Sequence, residues 1–118
     1  MKKVNLAEAF GRIEETWAPR IAAQINDMHV KLAKLEGEFV RHTHQEEDEL
    51  FYVLSGTLSM EFDDGSVQVG PGEFIVVPRG VAHKPIAAEL VEVLLLEPAT
   101  TVNTGDAGGE RTREAEWL

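Results

Sequence analysis

At 118 residues the chain has the size of one domain, long enough to bury roughly two thirds of the surface it would expose when unfolded. A 43% hydrophobic share is too high for a disordered chain, and the absence of cysteine excludes disulfides, zinc ribbons, iron–sulfur clusters and thiol nucleophiles. Eleven Lys and Arg stand against twenty-one Asp and Glu, and a net charge of −10 repels phosphate backbones and anionic lipid headgroups, so neither nucleic acid nor a membrane surface is an expected partner.

In chain order, Leu6, Phe10, Ile13 and Trp17 recur at helical spacing and predict a short helix over 5–17, with Asn5 as N-cap and Glu8 placed as its capping partner. Gly11 weakens this helix and Pro19 bars its continuation. The opening "MKKVNLAEAF" has neither an apolar core nor a small-residue cleavage site, so no secretory signal is expected and cytoplasmic residence is the default. From about Ile21 the pattern changes to short segments punctuated by Gly, Pro and Asp. "DMHVKLAKL" alternates, with Met28, Val30 and Leu32 on one side and His29, Lys31 and Ala33 on the other, which puts His29 on the polar side as a solvated residue. "ELFYVLSG" and "TLSMEF" follow as strands, then the hairpin turn "DDGS", then "VQV", "FIVVP" and the long "LVEVLLLEP", which Glu92 interrupts and which is too short to span a bilayer. Beyond Pro98 the apolar periodicity stops, and 99–118 reads as a loosely attached tail. The expected organisation is an N-terminal helix or arm over 1–20, an all-β barrel or sandwich over 21–98, and that tail.

The chemistry concentrates in "RHTHQEEDELFYVLSG", residues 41–56. If 39–44 is extended, His42 and His44 share a face with backbones about 6.6 Å apart, which lets two imidazoles converge on one ion. Glu49 follows after enough chain for a turn, and two histidines with one carboxylate form a facial ligand set of the kind that suits iron and related metals. Taken alone, "HTHQEEDE" reads as a solvated acidic turn more readily than as a ligand set, and Glu46, Glu47 and Asp48 are assigned to such a turn, with Asp48 the fallback ligand if the turn is one residue tighter.

A second cluster, "GEFIVVPRGVAH" over 72–83, has Gly72, Pro78, Gly80 and His83. Together the two segments resemble the paired signature motifs of the cupin superfamily: His42, His44, Glu49 and Gly56 fit the first, and Gly72, Pro78, Gly80 and His83 the second. The wider phrases resemble those of small single-domain cupins often labelled mannose-6-phosphate-isomerase-like. Two departures are Gly37, one residue too close to His42, and Ala87 where an asparagine is common; neither weakens the ligand set. The resemblance implies a double-stranded β-helix (jelly-roll) barrel and a three-histidine, one-glutamate metal set of His42, His44, Glu49 and His83. It also implies one divalent transition metal (iron, manganese, nickel, zinc or copper) and pairing into a homodimer.

Phe51, Val53, Leu58, Met60 and Phe62 are expected to line a small apolar pocket around the ion. Such a site suits a metal-dependent oxygenase, isomerase or lyase acting on a small oxygen-rich metabolite. The alternative is a non-catalytic small-molecule-binding module in which the ion anchors a ligand or stabilises the barrel. No G-x-S-x-G elbow, phosphate-binding lysine loop or Ser-His-Asp set competes with this reading.

Overall fold

The computed structural model describes all residues from Met1 to Leu118. Helix α1 (Leu6–Gly11) precedes eight strands: β1 (Arg20–Ile25), β2 (Met28–Glu38), β3 (Glu49–Ser55), β4 (Leu58–Phe62), β5 (Gly65–Val69), β6 (Phe74–Val77), β7 (Lys84–Pro98) and β8 (Glu116–Trp117). This is the expected cupin barrel with a short N-terminal helix. Its organiser is β7, which is long enough to serve two layers. One edge pairs with β2 along nearly its whole length, while the other pairs with β4 near Lys84–Ile86 and with β3 from Glu92 to Leu96. β6 continues the sheet beyond β3, and β5 continues it beyond β4. The β4–β5 hairpin closes over Asp63 and Asp64, as the "DDGS" turn predicts.

Along β3, Glu49, Phe51 and Val53 are buried and alternate with half-buried residues. Along β7 the inward phase is Val91, Val93, Leu95 and Glu97. These rows build the main core with Leu35, Leu58, Met60 and Val77.

Three sequence expectations are revised. First, α1 ends at Gly11 rather than running to residue 17, although its N-cap forms as expected, Asn5 Oδ1 accepting from the Glu8 N–H at 3.0 Å. Six residues cannot hold a helix alone. α1 persists because Ala9, Phe10 and Ile13 pack on Leu32 of β2, each large side chain contributing about 1.5–3 kcal/mol on burial. Trp17 leaves the helical path at a φ of 58°, stacks on Phe39 at 4.8 Å and donates its indole N–H to the Glu36 carbonyl at 2.7 Å.

Second, the alternation predicted for β2 is real, but the polar side faces inward. Leu32 pairs with Leu94 on the outer face beneath α1, whereas Ala33 and Leu35 enter the main core and Lys31 is buried in the same phase. The apolar side of this strand marks the helix interface, and Lys31 lies inside with Glu97 3.6 Å away. His29 is accordingly half-buried, edge-on to Trp117 at 6.1 Å, instead of solvated.

Third, 99–118 is not loosely attached. The Thr43 N–H donates to Asp106 Oδ1 at 2.8 Å, the Asp106 N–H donates to the Thr43 carbonyl at 3.0 Å, and β8 adds in parallel to β1. These contacts are made by polar and backbone groups, which carry no hydrophobic period.

Candidate metal centre

His42, His44, Glu49 and His83 come together inside the barrel, one ligating atom from each lying within 4.8 Å of all the others. All four are buried, His83 completely. His42 and His83 are held opposite each other by a reciprocal backbone pair, His42 N to His83 O at 3.0 Å and His83 N to His42 O at 2.9 Å. His44 follows on the same face, with its ring 4.9 Å from that of His42, and Gly80 N donates to its carbonyl at 2.8 Å. Glu49 opens β3 and points inward because it is in phase with Phe51 and Val53. The segment around His42 and His44 is not a continuous strand, but the two-residue spacing still sets both rings on one side.

Hydrogen bonding fixes which nitrogens face the centre. His42 Nδ1 lies 2.8 Å from the Val40 carbonyl and His83 Nδ1 lies 3.0 Å from the Val81 carbonyl. A carbonyl can only accept, so each Nδ1 carries the proton and each Nε2 presents a lone pair inward when the ring is neutral. His44 Nε2 and His83 Nε2 lie 2.9 and 3.3 Å from the same oxygen, Glu49 Oε1. All three atoms are buried and lack a hydrogen bond of sound geometry. A lone pair and a carboxylate facing one another away from water repel unless a cation or a proton stands between them.

The electrostatics point the same way. Burial, together with the charges of His83 and His44, pushes His42 down to about 4, so it is neutral at pH 7. For His44 burial acts downward, but the carboxylate of Glu49, reinforced by the charges of Glu97 and Glu47, raises its pKa above the usual histidine value. Burial pushes Glu49 upward, yet His44 and His83 hold it below the ordinary carboxylate range. Glu49 is thus ionised and His42 unprotonated, the forms that ligate.

The neighbouring carboxylates divide cleanly. Asp48, the fallback ligand, is outside the cluster and pairs with Arg79 through bonds of 2.8–3.2 Å. Glu47 is half-buried, lies 4.0 Å from His44 Nδ1 and accepts from Thr100 Oγ1 at 2.9 Å, so it is not a simple solvated residue. Glu46 is exposed.

His42 and Glu49 also line a cavity that opens to the surface. Of the five expected lining residues, Phe51 borders it. Val53, Leu58 and Met60 are packed in the core and Phe62 lies against that core, none of them on this cavity. The walls come instead from Trp17, Leu35, Phe39, Val93 and Leu95, with Lys31 and Glu97 set among them. Burial first, then the charge of Glu49, raises the Glu97 pKa against the opposing pull of Lys31, His44 and Thr101. Sequence reasoning overlooked this pair, although both residues fall in phase with inward apolar neighbours on their strands, a legible signal for a charge directed into a barrel.

An antiparallel barrel with an interior three-imidazole, one-carboxylate cluster defines a class of protein: a cupin with a potential metal site. Comparison with known proteins agrees, the cupin domain family Cupin_2 matching residues 28–97. The chain belongs to that family. It is 33% identical to the uncharacterised protein YdbB of Bacillus subtilis over 84 residues, 70% of this chain and 74% of that protein. It is 35% identical over 68 residues to quercetin 2,3-dioxygenase of Bacillus subtilis, covering 53% of this chain but 20% of the dioxygenase. Among solved structures, a cupin-2 domain containing protein from Shewanella frigidimarina superposes with a TM-score of 0.79 at 42% identity, over 80% of this chain and 93% of that one.

Proposed function

We propose that His42, His44, Glu49 and His83 hold one divalent transition metal, and that the protein is a metal-dependent oxygenase, isomerase or lyase for a small oxygen-rich metabolite. The observation that carries this reading is the set of buried, unpartnered ligand atoms around Glu49 Oε1. When bound, a four-ligand ion with up to two open positions acts as a Lewis acid or a redox centre toward a chelating oxygen ligand. The protein's own residues prepare that position. The Val40 and Val81 carbonyls fix the tautomers of His42 and His83, and Trp17, Phe39, Phe51 and Leu95 give the approach to the site an apolar wall. The likeness to part of quercetin 2,3-dioxygenase supports the enzymatic reading as analogy.

The test is to load the purified protein with iron(II), manganese(II), nickel(II), copper(II) or zinc(II) in turn and follow dioxygen uptake and conversion of a panel of chelating metabolites. Turnover with one metal, abolished in H42A/H44A, is expected. Stoichiometric recovery of an unchanged metabolite would instead assign the chain as a binding module. The same proposal includes a homodimer, supported by β6, whose outer edge is unpaired and carries exposed Phe74 and Val76.

A further inference from the structure

Lys31 is the residue the site does not yet account for. Its side chain is 5% exposed, Glu97 is the one carboxylate within 4.0 Å of it, and at 3.6 Å that contact is longer than a hydrogen bond. An ammonium carries three donors, and burying one with so little compensation costs several kcal/mol, so the pair is poorly explained as a stabilising device. Lys31 borders the cavity shared by His42 and Glu49.

Strand register gives the arrangement. Lys31 pairs with Leu95, and Leu95 pairs with Phe51, so these three inward side chains form one row across β2, β7 and β3. Leu50 pairs with Leu96, which sets Glu49 beside Glu97 in the next row. Lys31 and Glu49 therefore start from backbones roughly 10–12 Å apart, two strand spacings across and two residues along. The surface between them carries the apolar flank of Leu95 and Phe51, with Glu97 beside Glu49. A divalent ion and Lys31 together outweigh Glu49 and Glu97 in charge, leaving the interior net positive. Arg113 stands at the cavity wall, and Arg111 lies 6.0 Å over the Trp17 ring and 5.8 Å over that of Phe39. In a chain of net charge −10, this concentration of cations at one cavity selects an anion.

We propose that the cavity takes a small organic acid anion with two functional ends: chelating oxygens directed at the histidine–glutamate set, and a distal carboxylate received by Lys31 across a short hydrocarbon link. This rests on the metal reading above and adds to it the substrate class.

The probes are malate and 2-hydroxybutyrate, four-carbon acids that share the 2-hydroxycarboxylate end and differ in the distal carboxylate. Zinc uptake by the wild-type protein is measured first, then calorimetric titration of the zinc-loaded protein with each acid. Malate is expected to bind at least about 10-fold more tightly, the range of a charge-assisted hydrogen bond to a buried cation. Lys31→Met should equalise the two acids while zinc content stays unchanged. Because that substitution strands Glu97, the K31M/E97L variant is measured beside it and should equalise them as well. Equal affinities in the zinc-loaded wild type, no binding of either acid, or a malate preference that survives in the folded double variant would overturn the proposal. Failure of the wild type to take up zinc would instead remove the metal reading, and this one with it.

Discussion

His42 and His44 sit two residues apart yet hold protons with different strength, and the difference makes the site's acid response predictable. His44 has a raised pKa, so on acidification it takes a proton before an ordinary histidine would, while His42, near 4, resists longest. Metal binds only the neutral ring, so protons compete first at His44. The rise in melting temperature on adding zinc is therefore expected to shrink steadily as pH falls from 7.5 to 5, beginning near neutrality; an increment that stays constant to pH 4.5 would contradict the ligand assignment. In the metal-free protein the two rings act with opposite sign. The stability tied to the raised pKa of His44 is present below 6.5 and lost as pH rises through the folded value, whereas burying neutral His42 costs stability as pH falls from 6.5 toward 4. Glu49→Gln keeps the side-chain shape but removes the charge shared by His44 and His83. Zinc affinity should fall by more than the roughly 10–100-fold that loss of an outer partner typically costs, read by competition with a chromogenic chelator.

Glycines at turns decide how the elements carry these residues, and they separate conformational from steric demands. Gly80 has a φ of +80° with open space where a side chain would go, so Gly80→Ala should cost only the left-handed penalty of about 1–2 kcal/mol in chemical unfolding. Gly105 has a φ of +52°, and a Cβ there would lie 2.5 Å from the Thr43 carbonyl and 3.0 Å from the His42 ring. Gly105→Ala must displace the segment carrying two ligands. It is expected to weaken zinc binding by at least about 10-fold, where Gly80→Ala leaves zinc affinity unchanged. Equal zinc affinities in the two variants would show that the C-terminal segment does not brace the site. This contrast also marks what the sequence could convey. The pairing of His42 with His44 was legible from period-two alternation, and the full set with Glu49 and His83 from the resemblance of two punctuated segments to the cupin motifs. The role of Gly105 was not, because a close approach between residues sixty positions apart leaves no local pattern. The inward turn of Lys31 was half legible: alternation defined its face, but only the docking of α1 on the opposite face determines which side is interior.

At the scale of the whole molecule, a chain of net charge −10 holds a cavity whose lining includes Lys31, Arg113, Glu97 and two members of the metal cluster, His42 and Glu49. The fold class and barrel were readable from strand-sized segments and turn residues, whereas the attachment of 99–118 rests on backbone pairing invisible to hydrophobic period. Exposed Phe74 and Val76 on the free edge of β6 lead to an expected light-scattering mass twice that of one chain, reduced to a single chain's mass by the paired substitution Phe74→Lys and Val76→Lys. A wild-type mass of one chain would remove the homodimer and leave the site untouched. The convergence of three imidazoles and one carboxylate on a single ion is tested most directly by anomalous diffraction from crystals of the zinc-loaded protein. One peak is expected about 2.0–2.2 Å from the Nε2 atoms of His42, His44 and His83 and from a Glu49 carboxylate oxygen. Zinc found only at surface carboxylates, with His83 turned away from the other two rings, would contradict the account.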